Sequence, residues 1–386
     1  MISKQLNDVQ ESDLVALISN AVAEGKTIDY KQALPGNSAG EKKEFLADVS
    51  SFSNTSGGDL IFGMAEAQGV PTGITGVQST DIDLELRTFD SIIADGLEPR
   101  IRYAAKVVDS TNSAKVIIIR AERSWNGPHR VIFKGHDKFY GRNSAGKYPL
   151  DVAELRTAFT LSATVTERIV AFRTDRIIAL SNNQTPIPFT PEPKIIIHCI
   201  PIEAFADPKQ YDVLRYDRTP GTLEPFYHSG WSTRINLNGV VSYSGNNPAF
   251  SYTQVYRNGI IEAVTGGLLA HDYNGKRVIP SLAYEQAIYR YLPKCFKILN
   301  ELGCPPPIVV ALSFTGTKGL EMGVDNVFGP RPEPIDEDTL VLPETVVEDF
   351  NMPIGKILKP MLDLVWNAAG YPESKNFDAN GNWVGR

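Results

Sequence analysis

Apolar residues in the first 160 positions switch repeatedly between the spacing of helices and the spacing of strands. Leu14, Leu17 and Ile18 recur at helical spacing behind the capping pair Ser12-Asp13. The same criterion predicts helices over residues 11–24, 41–54, 82–95 and 151–161. Short apolar runs predict strands over residues 27–31, 59–64, 101–108, 115–120, 131–133 and 138–140. Helices mixed with locally paired antiparallel strands predict an α+β domain over residues 8–160.

The second half of the chain has a pattern of its own. A connecting helix over residues 165–180 and a linker rich in proline and polar residues predict a boundary region over residues 161–193. Asn238-Gly239 and Asn258-Gly259, each between alternating apolar runs, predict β-hairpins. A helix over 281–302 and a buried strand over 308–314 complete a second α+β domain, residues 194–386. The acidic residues between Glu333 and Asp349 are typical of a solvated tail.

Composition narrows the class of protein. The chain has 386 residues, of which 42% are hydrophobic and 22% charged, which excludes a disordered chain. Three cysteines exclude a disulfide framework. The polar, acidic start is no signal peptide, and no apolar run approaches the length of a membrane span, so we expect a cytoplasmic protein without membrane contact.

Positive charge is concentrated between residues 100 and 147, although the net charge of the whole chain is −7. Eleven basic residues face only three acidic ones there, an excess of eight positive charges, and aromatic residues are interleaved with them. Basic side chains bind phosphates and aromatic rings stack on unpaired bases, so this segment indicates a polyanion-binding surface. Strands with aromatic residues inward and charges outward are the alternative. The candidate nucleic-acid-binding residues are Arg100, Arg102, Arg120, Arg123, Arg130, Lys134, Lys138, Arg142 and Lys147. In the helix over 41–54, Lys42 and Lys43 lie off the apolar stripe.

One pattern in the first half is specific enough to suggest a family. Residues 24–31 read EGKTIDYK, residues 52–64 read FSNTSGGDLIFGM, and Gly73-Ile74 and residues 139–143 (FYGRN) follow in order. This series resembles the Schlafen AlbA_2 domain, also called divergent AAA-4, over residues 8–160. The motif positions are Asn54, Gly57, Gly58 and Gly63. The resemblance implies a mixed sheet with helices; the C-terminal half resembles no family that we can name.

The resemblance also implies an active site. In animal Schlafen proteins three carboxylates support metal-dependent cleavage of transfer and ribosomal RNA, and they correspond here to Glu24, Asp29 and Glu66. Asp29 replaces the usual Glu, and Ala65 stands where the family often has a further acid. Carboxylate oxygens suit Mg²⁺ or Mn²⁺, which lowers the pKa of a bound water. Lys31, on the same strand face as Asp29, is positioned to stabilise charge on the phosphate.

Two functions therefore remain open for the first domain. One is a nucleic-acid-binding protein, with RNA favoured over DNA, that cuts the backbone with a divalent ion and serves in stress response or phage defence. The alternative is a non-catalytic regulator that binds ATP or nucleic acid on the same fold. A true P-loop is disfavoured, because in GRNSAGKY (141–148) a tyrosine replaces the Ser or Thr that holds Mg²⁺. The second domain is expected to select substrates, to form a homo-oligomer or to bind a protein partner.

Overall fold

The chain divides into two units, Met1–Thr164 and Val165–Arg386, and each is described by itself. The computed structural model describes residues 1–2, 4–79, 81–111, 114–191, 193–206, 209–219, 221–227, 230–245, 247–269, 271–273, 276–324 and 333–385. The boundary falls within one continuous helix, α4 (Val152–Ser181). Two separate helices were predicted there; no glycine or proline interrupts residues 152–181, so the backbone has no local reason to break.

The first unit is an arrangement of short strands around two longer helices. Its helices are α1 (Glu11–Ser19), α2 (Ala39–Ser53) and α3 (Ile82–Gly96). Its strands are β1 (Ile28–Lys31), β2 (Gly58–Phe62), β3 (Met64–Ala67), β4 (Val70–Ile74), β5 (Leu97–Glu98), β6 (Tyr103–Asp109), β7 (Lys115–Ala121), β8 (Arg130–Val131), β9 (Lys138–Asn143) and β10 (Gly146–Pro149).

The central sheet of this unit has the order β1-β2-β7-β6, with β1 parallel to β2 and the other pairs antiparallel. Both faces are buried. Leu60 and Ile119 pack into the core formed with α2 and α3, whereas Ile61 and Ile118 pack into the core formed with the N-terminal segment and α1. Alternate residues of β2 and β7 therefore serve opposite cores, as the two-residue period of a strand requires.

A second sheet, β10-β9-β8-β5, and the hairpin β3–β4 complete the first unit. The segment predicted as strand 131–133 is shorter than expected, because the chain enters a 3₁₀ turn at Phe133–Gly135. The sequence 141–148 forms the hairpin β9–β10 rather than a strand leading into a helix, which agrees with setting the P-loop aside.

The second unit contains helices and many antiparallel strands. Its shorter helices are α5 (Glu203–Ala206) and α6 (Arg215–Arg218), and its longer ones are α7 (Ser281–Leu302) and α8 (Ile354–Ala368). Its strands are β11 (Lys194–Pro201), β12 (Ser232–Asn236), β13 (Gly239–Ser244), β14 (Ser251–Tyr256), β15 (Ile261–Thr265), β16 (His271–Tyr273), β17 (Lys276–Pro280), β18 (Ile308–Thr315), β19 (Glu321–Gly323), β20 (Thr339–Val341) and β21 (Thr345–Val347).

The main sheet of the second unit runs β12-β13-β14-β15-β11-β18-β20, and β21 also pairs with β18. Helices α7 and α8 pack on the core beside this sheet. The prediction that the acidic stretch forms a solvated tail is wrong in part. Strands β20 and β21 pair with β18, and Ile335 is fully buried. Apolar residues at alternate positions pull this acidic segment onto the sheet.

A buried charged network lies between α4 and the main sheet of the second unit. Glu262 on β15 is fully buried and accepts hydrogen bonds from Arg176 (2.7 and 2.9 Å), from Tyr252 (2.7 Å) and, at 3.0 Å, pairs with Nε2 of His198. Buried charges require such partners. The network therefore fixes the helix against the sheet within this unit.

The α+β class predicted from the sequence is confirmed, with 33% helix and 29% strand. In the part of the chain that the structure describes, no helix has the length and apolar character needed to cross a membrane.

Candidate functional site

Strand β1 carries two of the predicted site residues, Asp29 and Lys31, on one face. Lys31 Nζ lies 2.6 Å from Asp29 Oδ1. The alternation of side chains along a strand accounts for this pairing, because residues two apart point to the same side. The carboxylate of Asp29 is only 4% exposed and therefore needs compensating charge.

Arg142 supplies the second compensating charge. It lies on β9, is 3% exposed, and its guanidinium pairs with Asp29 and, at 3.5 Å, with Asp48. It also donates a hydrogen bond to the carbonyl of Gly25 (2.8 Å) and lies 4.3 Å above the ring of Phe52. A guanidinium enclosed in this way is part of the core, so Arg142 is not presented to a ligand on the surface.

Asp48, which the sequence did not single out, is the third acid of the cluster. It lies on the buried face of α2, is 2% exposed, and accepts a hydrogen bond from Lys147 Nζ at 2.8 Å. We call Glu24, Asp29, Asp48, Lys31, Arg142 and Lys147 the charged cluster. Its position in the apolar run FLADV (45–49) is the signal in the sequence that could have identified Asp48 as a buried acid, and it was not used to predict the site.

The pKa values of the acids in the charged cluster are shifted in opposite directions. Burial opposes ionisation of Asp29, but the charges of Arg142 and Lys31 outweigh it and lower its pKa. Burial raises the pKa of Asp48, and the lysines nearby offset this only in part. Burial and the charge of Asp29 raise the pKa of half-buried Glu24. Neighbouring acids whose pKa values are shifted in opposite directions are a feature of functional sites, and structural ion pairs produce such shifts too.

Glu24 and Glu66 meet at one tight turn, the turn between β3 and β4. The backbone N–H of Glu24 donates to the carbonyl of Gly69 (2.6 Å), and the N–H of Gly69 donates to the carboxylate of Glu66 (2.5 Å). Glu24 also accepts a hydrogen bond from the backbone N–H of Tyr30 (2.8 Å). Glu24 is therefore linked to Glu66 through Gly69, and Glu66 is exposed whereas Asp29 is buried.

These acids do not form a ligand set for a metal ion in this arrangement. Within the described ranges, no three His, Cys, Asp or Glu side chains are close enough to share an ion. Both oxygens of Asp29 are already engaged by cations, which also repel a divalent ion. The site for Mg²⁺ or Mn²⁺ thus stays a prediction from the resemblance.

The motif residues hold the segments around the charged cluster together. Asn54 caps α2 and donates to the carbonyls of His129 and Tyr140, both at 2.9 Å. Gly57, with φ of 71°, ends the helix in the left-handed conformation that favours glycine. A β-carbon on Gly58 would lie 2.1 Å from a ring carbon of Phe52, so the ring and the strand approach each other only because this residue is glycine. Gly63 donates its N–H to the carbonyl of Lys31 (2.7 Å), directly after β2.

The nine predicted basic residues fall into three groups. Four are engaged with acids of the same unit: Arg120 with Asp59, Arg130 with Glu98 and Asp137, Arg142 with Asp29 and Asp48, and Lys147 with Glu44 and Asp48. Arg102 is half-buried, and the guanidinium of Arg123 stacks over Trp125 at 4.0 Å. Arg100, Lys134 and Lys138 are exposed. The sequence therefore did not separate cations that stabilise the fold from cations that face solvent.

The exposed group is joined by cations from two helices. A groove of about 330 Å³ is lined by Lys42 of α2, Arg87 of α3 and Phe133. Lys134 Nζ lies 5.7 Å from the centre of the Phe133 ring, and Lys43 and Lys138 both lie close enough to His136 to lower its pKa, after burial as the largest cause. We call Lys42, Lys43, Arg87, Lys134 and Lys138 the lysine surface. Among the residues that the structure describes, none of these five has an ion-pair partner, and Asp95 is the acid that lines the groove.

Residues 24–151 match the protein-family model described as Schlafen, AlbA_2. This match lies within the first unit, and it confirms the resemblance drawn from residues 24–31 and 52–64. The family gives the domain a link to nucleic acid.

Solved structures match only part of the chain. The DIP2311 protein from Corynebacterium diphtheriae is 20% identical over 37% of this chain and 27% of its own length, with a TM-score of 0.26. The N-terminal domain of a RecG-related protein from Nitrosomonas europaea is 20% identical over 35% of this chain and 88% of its own, with a TM-score of 0.28. TM-scores this low establish no common overall fold. No curated protein matches the chain.

Proposed function

We propose that the first unit binds nucleic acid on the lysine surface, with RNA preferred over DNA. The observation that carries this is the set of five cations around Phe133 that have no acidic partners among the described residues. Each unpaired cation gains by neutralising a phosphate and releasing its counterion, whereas a cation already paired must first give up its acid. The preference for RNA rests on the family resemblance.

Phe133 gives the surface a feature beyond charge. The ring is partly exposed in the groove beside Leu84, which is 54% exposed. Apolar and aromatic groups among phosphate-binding cations suit a strand whose bases are unstacked. Single-stranded or looped RNA is thus the expected partner, ahead of a regular duplex.

Binding is tested by fluorescence anisotropy with one labelled sequence as single-stranded RNA, single-stranded DNA and duplex. The full chain is compared with the variant Lys134→Gln/Lys138→Gln. The matched control is Lys115→Gln, which removes one cation of the same unit that is paired with Asp109 at 3.1 Å. The proposal expects weaker binding in the double variant and little change in the control. Equal affinities of the wild type and the double variant would contradict it.

Cleavage of the bound RNA is the second function that we propose, and the charged cluster favours it. Glu24 has a raised pKa next to Asp29, and Glu66 shares the turn of Gly69 with Glu24. A carboxyl with a raised pKa exchanges protons nearer to neutral pH, as acid–base catalysis requires. Lys31 and Arg142 hold the charge of Asp29 fixed beside it.

Transfer RNA incubated with the full chain and Mn²⁺ or Mg²⁺ tests the cleavage. Glu24→Gln and Glu66→Gln are expected to lose cleavage while retaining binding, since neither residue belongs to the lysine surface. If the wild type binds RNA without cutting it under any of these conditions, the nuclease proposal fails. ATP binding in place of RNA binding would favour the alternative, a nucleotide-binding regulator.

A further inference from the structure

The second unit contains a pocket at the side of α7, far along the chain from the family domain. Its volume is about 430 Å³, within the range of small-molecule sites. Helix α7 supplies Ala283, Gln286, Ala287 and Arg290. Ala283 and Ala287 are four residues apart, as are Gln286 and Arg290, which places the four on one face. The loop residues Phe226 and Tyr227 also line it.

The apolar wall of this pocket is rigid. Phe226 is fully buried, and its ring centre lies 5.0 Å from that of Tyr291, which is 4% exposed. The hydroxyl of Tyr291 donates to the carbonyl of Glu224 at 2.6 Å and contacts Thr253 at 2.6 Å. On the α7 side, the small side chains of Ala283 and Ala287 leave the space open. The fold therefore holds Phe226 and Tyr291 in place, and this part of the pocket wall does not depend on an exposed side chain.

Tyr227 presents an aromatic ring at the pocket. It is 48% exposed, although tyrosine is usually covered by its own fold, and its φ of 60° is in the left-handed region that non-glycine residues rarely adopt. The ring lies close to the backbone of Gly267, where a β-carbon would be 3.6 Å from a ring carbon of Tyr227. Strained backbone at a cavity is a pointer to function.

Arg290 is the charged group that the pocket leaves without a partner among the described residues. Lys294, one turn further along α7, pairs with Glu224, so its charge is compensated. Arg290 is exposed and has no ion pair within the described part of the chain. A guanidinium offers parallel donors that match a phosphate, and the amide of Gln286 can donate to and accept from the edge of a heterocycle.

We propose that this pocket binds a nucleotide, with the base between Tyr227 and the Ala283–Ala287 face, its edge at Gln286 and its phosphate at Arg290. A base stacks on tyrosine whatever its identity, and an apolar helix face covers its other side. The ligand is either a free mononucleotide or a nucleotide within a single strand. The inference does not rest on the proposed function of the first unit.

The test is titration of the 386-residue chain with AMP, GMP, CMP and UMP by isothermal titration calorimetry. We expect binding of at least one, and about tenfold weaker binding of the same nucleotide to Arg290→Gln, since a charge-assisted hydrogen bond is lost. The phosphate-free nucleoside should bind wild type and Arg290→Gln equally. Ala287→Leu should abolish binding of the nucleotide and of the nucleoside, because the larger side chain fills the pocket. The control is Lys297→Gln, on the same helix and 77% exposed.

The outcomes separate this proposal from that for the first unit. Displacement of the bound mononucleotide by a short single-stranded oligonucleotide, measured in the Lys134→Gln/Lys138→Gln background, identifies a strand as the source; no displacement identifies the free nucleotide. If no mononucleotide binds, or if Arg290→Gln and Ala287→Leu both bind as well as wild type, the proposal is wrong. Should Ala287→Leu fail to fold, judged by its circular dichroism, Arg290→Gln decides alone, because its exposed side chain breaks no ion pair within the described part of the chain.

Discussion

The lysine surface makes a quantitative prediction about the salt dependence of nucleic-acid binding. Lys134 lies in the 3₁₀ turn Phe133–Gly135 and Lys138 begins the next strand, β9, and both side chains are exposed. Replacing both by glutamine removes two of five unpaired cations while keeping most of the length of each side chain. No ion pair is broken among the described residues, so the fold should be unaffected.

The magnitude follows from counterion release. If all five cations contact phosphates of a single strand, the slope of log K against log salt is about −3.5, and three remaining contacts give about −2.1. Between 50 and 200 mM salt the wild type should then lose roughly a hundredfold in affinity and the double variant roughly twentyfold.

Anisotropy titrations at four or five salt concentrations measure both slopes directly. Thermal unfolding of the two proteins, which should coincide, shows that the change is not a loss of structure. A slope that is the same in wild type and double variant would refute the assignment, whatever the absolute affinities. A slope that falls equally in Lys115→Gln would refute the distinction between paired and unpaired cations.

Three further predictions concern stability. Arg142→Gln should lower the free energy of unfolding by about 3–5 kcal/mol in urea titrations, because the buried carboxylates of Asp29 and Asp48 each lose one of two cationic partners. The slope of log K against log salt should stay unchanged, and an altered slope at normal stability would contradict this. Gly58→Ala should lower the free energy of unfolding by about 1–3 kcal/mol, since a β-carbon there would lie 2.1 Å from an aromatic carbon of Phe52. Gly25→Ala is the control and should change the stability little, because nothing lies within 4 Å of a β-carbon there. Equal denaturation midpoints of the two variants would count against the packing argument. Burial raises the pKa of Glu262, but hydrogen bonds and charges from its neighbours outweigh it and bring the pKa to about 2, so its stabilisation is present above about pH 4.5 and lost as the pH falls towards 2. Glu262→Gln should cost about 3–5 kcal/mol at neutral pH and flatten that acid dependence, because Arg176 loses its counterion; an unchanged pH profile would show that the pair contributes nothing.

Periodicity predicted the long elements well because each has a continuous apolar stripe. Helix α7 was expected over 281–302 and is found at Ser281–Leu302, and both Asn-Gly pairs lie in hairpins. Short strands were harder. The strand β8 has only two residues, and its pairing depends on β5 and β9, neither of which the local sequence of β8 specifies.

Helix α8 shows a different limit. Its apolar face, with Ile357, Met361 and Val365 buried, is strongly periodic, yet it follows an acidic stretch whose charge suggested a solvated tail. The net charge of a segment reflects the residues on its exposed face and does not show whether its other face is buried. The alternate apolar residues of β20 and β21 decide where that segment goes, because burial of apolar surface outweighs solvation of the acids between them.

The sequence predicted several residues of the candidate site, but it did not predict which residues they pair with. Asp29 and Lys31 were expected on one face because strand geometry is local. The pairing of Asp29 with Arg142 joins residues 113 positions apart, and no local pattern encodes it. Asp48 was missed for the same reason, since only the fold shows that two cations converge on it.

The division of cations also predicts how selective the binding is. Arginine reads bases and phosphates through a fixed fork of donors, whereas lysine acts as a point charge. In the first unit Arg120 and Arg142 are occupied by acids, and the lysine surface has Arg87 as its one arginine among the described residues. Its contacts should therefore be mainly with the backbone. Homopolymeric single strands of equal length should bind within about tenfold of one another, since stacking on Phe133 tolerates every base. A much larger spread between homopolymers in the same titration would require more base-reading contacts than Arg87 alone provides, and would contradict this prediction.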